Sequence, residues 1–267
     1  MGNVDINTIR RKGFAEGSDE EKIEKYCIEM AGKYTDSLID SYCNLSESRN
    51  GKYINSDLMK MVFPFYAQSM ENRRKYNMSV TNTAAVLTNE TYKRAILDDD
   101  VDRCIYIVGP YGAGKSFFAQ SLFENGANDL EKAIVYEGSI TPPAFEEKIQ
   151  YAIENGVIPE IIALNPTLEL SIRNIRERAG RIGRDVEKAE VVSKFAGFYE
   201  YFKGIIEKYP NMPYAIYNKT SNLSLDINKV STNIDDIMSS KVDDISKEYD
   251  RITELLNKEN QIESFIL

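Results

Sequence analysis

Histidine is absent from the 267 residues, and that gap removes a large part of enzymology. Ser-His-Asp and Cys-His nucleophile systems and histidine-ligated zinc all need an imidazole. Acid–base work must therefore fall to carboxylate, lysine or tyrosine. Cysteine is scarce: Cys27, Cys43 and Cys104 form an odd set without metal-ligand spacing, as free thiols in a reducing compartment do. Positive charge is also short, with 33 Lys and Arg against 42 Asp and Glu and a formal net charge of -9. No basic block offsets this, since "IRRK" near the start is a small solvated cluster. Neither nucleic acid nor an anionic membrane is an expected partner. No apolar run approaches the roughly 20 residues of a membrane span. No signal-peptide core is present, and "MGNVDI" lacks the Ser or Thr of a myristoylation signal. A cytoplasmic protein is the expectation.

What is present is the composition of a globular chain, 42% apolar and 28% charged, long enough for one sizeable core with helical additions. Ile23, Cys27, Met30, Tyr34 and Leu38 recur at three- and four-residue steps, which predicts a packing helix over 19–45. "KYINSD" predicts a short strand leading into a helical stretch that Pro64 interrupts. A second helix is expected over 81–97. From Cys104 onward "CIYIV", "AIVYEGS", "IPEIIALN" and "PYAIYNK" alternate with helical patterns, which predicts βαβ crossovers and a mainly parallel sheet. The tail from about 229 places Ile234, Met238, Val242, Ile245, Tyr249, Ile252 and Leu256 at helical steps, giving one or two amphipathic helices. The expected organisation is an N-terminal helical extension over 1–50, an α/β domain of three layers over 51–220, and a helical tail over 221–267.

The most specific stretch is "GPYGAGKS". Gly109, Pro110, Tyr111, Gly112, Ala113, Gly114, Lys115 and Ser116 satisfy G-x-x-x-x-G-K-[ST] between a predicted strand and a predicted helix, with Phe117 next. Its glycines let backbone N–H groups close around phosphate oxygens at a helix N-terminus. Lys115 would neutralise the β and γ phosphates of ATP, and the Ser116 hydroxyl would hold Mg²⁺. No apolar run ending in Asp-Glu, no D-x-x-G switch and no N-K-x-D base-reading motif accompanies it, the "NKTS" at 218 ending in Ser. A motor ATPase or GTPase therefore lacks its parts, and a P-loop kinase fold is what remains. Such a kinase needs arginines on a later helix, and "SIRNIRERAGRIGRDVEKAEV" supplies Arg173, Arg176, Arg178, Arg181 and Arg184.

Over about 104–200 the chain resembles the zeta-toxin family of P-loop kinases, whose characterised members use ATP to phosphorylate a hydroxyl of UDP-N-acetylglucosamine. The resemblance rests on a strand ending in E-G-[ST], a helix, a strand ending near a proline, and an arginine-bearing helix followed by another arginine. It implies that Glu137 and Ser139 contact a nucleotide-sugar substrate, that Arg176 and Arg184 face the phosphates, and that an antitoxin protein is a partner. The family's catalytic aspartate lies on a strand after the P-loop helix, where too few residues separate Ser116 from "VYEGS". Upstream, "INSDLMKMVFPFY" holds Asp57 with Pro64 and Tyr66 at the family's spacing.

Two readings of Asp57 are open. Either its strand–helix unit precedes the P-loop strand in the chain and takes the equivalent place in the sheet, with Asp57 facing Lys115 as the base, or Asp57 caps the helix that follows. Two functions are open as well. One is an ATP-dependent kinase acting on a hydroxyl of a nucleotide sugar, and the other an ATP-binding regulatory protein with weak or no kinase activity.

Overall fold

The computed structural model describes residues 2–125, 130–182, 186–219, 230–237 and 242–266. The first long helix, α1 (Asp19–Cys43), starts where the Ser18 hydroxyl accepts the Glu21 N–H, with Asp19, Glu20 and Glu21 in its positively polarised first turn. It buries Cys27, Ile28, Ala31, Leu38 and Tyr42. Tyr34, expected on that stripe, is exposed at a kink with φ -131 and ψ 35.

Strand β1 (Tyr53–Asn55) leads directly into the short helices α2 (Ser56–Met59) and α3 (Pro64–Ala67), and Pro64 opens α3, a position that needs no N–H. The next helix, α4 (Met70–Ile96), begins at its Ser69 cap, eleven residues before the expected start at 81, because its polar first turns carry no apolar stripe. Ile9 and residues of α1–α4 form one apolar cluster around Met59, Phe63, Tyr66, Val80 and Leu87. That cluster straddles position 50, so the N-terminal helix and the Asp57 segment pack as one helical unit.

The remaining strands are β2 (Arg103–Val108), β3 (Ala133–Glu137), β4 (Ile158–Pro166), β5 (Tyr214–Lys219) and β6 (Val230–Ser231). The sheet order is β1-β3-β2-β4-β5-β6; the first five run parallel and β6 is antiparallel to β5. Between the strands lie α5 (Lys115–Asn125), α6 (Ala144–Glu154), α7 (Leu168–Ile182) and α8 (Lys188–Lys208). Cys104, Tyr106 and Val108 pack into a core with residues of α4, α6 and α8. Ile105 and Ile107, on the other face, pack against Phe118 and Ala119 of α5. A parallel strand covered on both faces reads as the continuous apolar run that β2 is. The architecture is a three-layer α/β fold.

Two features of the sheet bear on function. β1 precedes β2 in the chain but pairs with β3, Tyr53 opposite Val135 and Asn55 opposite Glu137. Its outer edge is tied to α1: the Tyr42 hydroxyl donates to the Tyr53 carbonyl at 2.6 Å and accepts the Asn55 N–H at 3.0 Å. One phenol thus satisfies backbone groups that an edge strand leaves open.

The tail differs from its expectation. Its first part is β6 and a 3-10 turn over Ile234–Asp236, and the helix α9 (Val242–Ile266) starts only later. Ile234 and Ile237 join the main core, while Ile252 and Leu256 of α9 cluster with Ile172 of α7. Met238 lies outside the described residues. Among the described residues, no helix is long and apolar enough to cross a membrane, and Cys27, Cys43 and Cys104 are free thiols.

Candidate functional site

The glycine-rich segment connects the end of β2 to the first residue of α5, at the C-terminal edge of the parallel strands, where α/β sheets bind ligands. Gly112 has φ 74, and a Cβ there would meet the Ser171 carbonyl oxygen of α7 at 2.3 Å, so only glycine fits. The loop is braced from outside. Asn174 Nδ2 donates to the Gly112 carbonyl at 2.7 Å, and Lys219 Nζ, on β5, reaches the Ala113 carbonyl at 3.4 Å. Lys115 Nζ donates to the carbonyls of Gly109 and Pro110 at 3.0 and 3.1 Å. Burial lowers the Lys115 pKa from the ordinary lysine value, and the charges of Glu137 and Asp57 oppose that shift. A pocket of about 280 Å³ opens over the loop between Gly112–Phe117, Glu137 and one face of α7.

On the β1–β3 flank, Glu137 ends β3 and its Oε1 accepts the Ser116 hydroxyl at 3.1 Å. The Tyr53 hydroxyl donates to Oε2 of the same carboxylate, and Asn55 Nδ2 donates to the Tyr53 oxygen at 3.2 Å. The chain of contacts then reaches α2, where Asn55 Oδ1 accepts the N–H groups of Asp57 and Leu58 at 2.7 and 2.9 Å. Asn55 is therefore the helix cap, and the capping role open for Asp57 is already filled. The Asp57 carboxylate lies 3.2 Å from Lys60 Nζ and its field acts on Lys115. Ser139 lies just beyond β3, half-buried.

On the opposite flank, α7 presents Asn174, Glu177, Arg178 and Arg181 to the pocket. Their spacing of three, four and seven residues is that of a single helix face. Arg178 and Lys194 of α8 are the cations whose charges oppose protonation of Lys115. Lys194 Nζ also donates to the Thr141 hydroxyl at 3.1 Å. Arg176, expected to face the phosphates, is on the other side of the helix: its Nη2 donates to the Thr253 carbonyl of α9 at 3.4 Å. It shares that side with Ile172, one turn earlier, which packs on α9. Arg173 is likewise engaged, with Glu169 and Glu259 at 3.0 Å each. Arg184 lies outside the described residues.

Residues the sequence reading did not single out are thus Tyr53, Asn55, Asn174, Lys194 and Lys219. The spacing Asn174, Arg178, Arg181 was a signal for one of them. For Tyr53 the signal was weaker, a single aromatic at the head of a three-residue strand.

Magnesium is commonly bound by one or two protein oxygens together with substrate phosphates and waters. Ser116 and Glu137, already in contact, fit that demand. Phe117 at the start of α5 is 54% exposed, and its ring lies 6.0 Å from Lys219 Nζ. No protein-family model matches the chain, and a search of curated proteins finds no match either.

Proposed function

We propose that this protein is an ATP-dependent phosphotransferase that moves the γ-phosphate to a hydroxyl of a small molecule such as a nucleotide sugar, as zeta-toxin-like kinases do. The observation that carries the reading is the contact of Ser116 with Glu137 beside the half-buried Lys115. A glycine loop, a cation and an acidic strand end thereby meet at one helix N-terminus.

Lys115 exchanges the Gly109 and Pro110 carbonyls for β and γ phosphate oxygens. Ser116 and Glu137, in contact with one another, would hold Mg²⁺, which would supply charge neutralisation at the transferred phosphate. Arg178 and Arg181 stabilise the transferring group from α7. The Glu137 carboxylate is engaged at both oxygens, by Ser116 and Tyr53, so it serves the metal side. Asp57, its side chain 39% exposed, takes the acceptor proton.

The test is ADP release by purified protein with Mg²⁺ and ATP, with and without UDP-N-acetylglucosamine, in the native chain, Lys115→Ala and Asp57→Asn. Acceptor-dependent turnover lost in both variants supports the reading. ATP binding without turnover on any hydroxyl acceptor would leave a nucleotide-binding regulator instead.

A further inference from the structure

The helical unit beside the site buries a charge. Lys60, the residue after α2, is 3% exposed, and its neighbours Met59, Val62 and Phe63 belong to the apolar cluster of that unit. A buried ammonium is costly unless it is paired and hydrogen-bonded. Lys60 meets both conditions: its Nζ donates to Asn77 Oδ1 of α4 at 2.9 Å and lies 3.2 Å from Asp57 Oδ1. We infer that Lys60 is a positioning residue for Asp57, its buried ammonium fixing the direction of the carboxylate and holding it in the ionised form. The inference rests on the kinase reading, in which Asp57 takes the acceptor proton.

Direction comes from the anchoring. Asp57 and Lys60 stand three residues apart, the spacing of one helix face. Asn77 Oδ1 also accepts the Tyr66 hydroxyl of α3 at 3.2 Å, and two donors on one oxygen give its amide a single orientation. The ammonium is thereby held from α4, and Asp57 meets it from α2. The Lys60 side chain is 4% exposed and that of Asp57 39%, so an outward-facing carboxylate rests on an anchor sealed in the core.

Ionisation comes from the charges. An opposite charge at this range favours the ionised carboxylate. Lys60 stands beside Asp57, and Lys115 of the loop feels both Asp57 and Glu137 of β3. From α4 and α3 come the uncharged amide of Asn77 and phenol of Tyr66. In the transfer, the acceptor O–H passes its proton to Asp57 while the acceptor oxygen bonds to the γ phosphorus and the bond to the departing ADP oxygen breaks. Lys60 keeps its proton throughout.

Packing does not require this charge. Methionine fills a similar space without desolvating an ammonium, and the Asp57 left behind is solvated. Lys60→Met should therefore melt close to the native chain. Asp57→Asn, which leaves the ammonium buried without that counter-charge, should melt lower.

The experiment follows acceptor-dependent ADP release with Mg²⁺, ATP and UDP-N-acetylglucosamine against pH, with melting midpoints taken on the same samples. The chains compared are the native one, Lys60→Met, Lys60→Arg and Asn77→Asp. Low pH protonates Asp57 and removes the base, so loss of the ammonium should carry the acid limb of kcat/KM upward by about one pH unit. Lys60→Met should show that shift with kcat lowered about tenfold and KM for ATP unchanged. Lys60→Arg keeps the charge and should bring the limb back. Asn77→Asp sets a second carboxylate against the ammonium and should also move the limb upward, a test that holds where Lys60→Met does not fold. An unmoved limb in Lys60→Met, or in Asn77→Asp where Lys60→Met does not fold, overturns the inference and leaves Lys60 a packing residue. Failure of the underlying kinase reading has a separate signature, no turnover by the native chain on any hydroxyl acceptor, and the inference then falls with it.

Discussion

On the β1–β3 flank of the glycine loop the reactive groups stand on strand ends, whereas on the α7 flank they stand on the long side chains of a helix. Glu137 is fixed by the Ser116 and Tyr53 hydroxyls, and Tyr53 in turn contacts Asn55, the residue that caps the Asp57 helix. Tyr53, Asn55 and Glu137 stand on paired strands, and the hydrogen bonds among them restrict their rotamers. Across the loop, α7 rests on α9 through a small cluster of Ile172, Ile252 and Leu256 and through exposed ion pairs such as Arg173 with Glu259. Exposed pairs of this kind contribute about 0–1 kcal/mol each. Under the proposed phosphotransferase reading, the first flank would hold a metal and a hydroxyl in place, and the second would let cations follow a moving phosphate.

Substitutions on the two flanks separate these roles. Glu137→Gln keeps the shape but gives up the charge beside Ser116, and turnover is expected to fall by about 10²–10³, as when a preorganised electrostatic partner is removed. Varying Mg²⁺ in the same assay checks the cause: the apparent Mg²⁺ requirement should rise with the loss. A Glu137→Gln chain with native turnover would move the fixed flank out of the chemistry.

The helical flank is probed by a pair. Arg178→Ala is expected to cost about 10–100-fold in kcat/KM because its cation faces the phosphate pocket, while Arg176→Ala, which loses only a contact to α9, changes turnover little. Equal losses in both would show that α7 acts only through its packing. Tyr53→Phe comes next: it removes one hydrogen bond to Glu137 and should lower kcat by a few-fold with KM for ATP unchanged.

The smallest effect concerns pH. Burial lowers the Lys115 pKa, so as pH rises the folded chain loses this proton before the unfolded chain does. Within that window the unfolded state binds more protons, and stability rises with pH until the ordinary lysine value is passed. Urea midpoints followed upward from about pH 8 should therefore rise slightly relative to those of Lys115→Met, which has no such proton. A difference that shrinks or stays flat would contradict the partly desolvated, partly offset charge described at the loop.

The sequence displayed the parts of this molecule whose signals are local. Strand β2 is an apolar run ended by the glycine motif, and its register needs no partner to be read. Asp57 and Glu137 were singled out as candidates from spacing and resemblance, but their division of labour was not legible, because it depends on which hydroxyls reach each carboxylate. Which of Arg176 and Arg178 lines the pocket was not legible for a related reason. Both lie on α7, and only the packing of Ile172 against α9 decides which side meets the loop. The Tyr42 clasp on β1 joins residues 11 positions apart across two elements and left no periodic mark. The two residues of β6 are too few to show any pattern, so the tail read as one or two helices with no strand.

The order of strands has a consequence for synthesis on the ribosome. Tyr53 and its partner Glu137 are 84 positions apart, and β1 pairs only with β3 among the described strands. While the chain is emerging, the segment bearing Asp57 must wait for most of a domain's length before its neighbouring strand exists. The helical cluster around Met59, Phe63 and Leu87, with Tyr42 closing the strand's other edge, is already complete by then. It shelters a nascent edge that would otherwise be open to pairing with another chain.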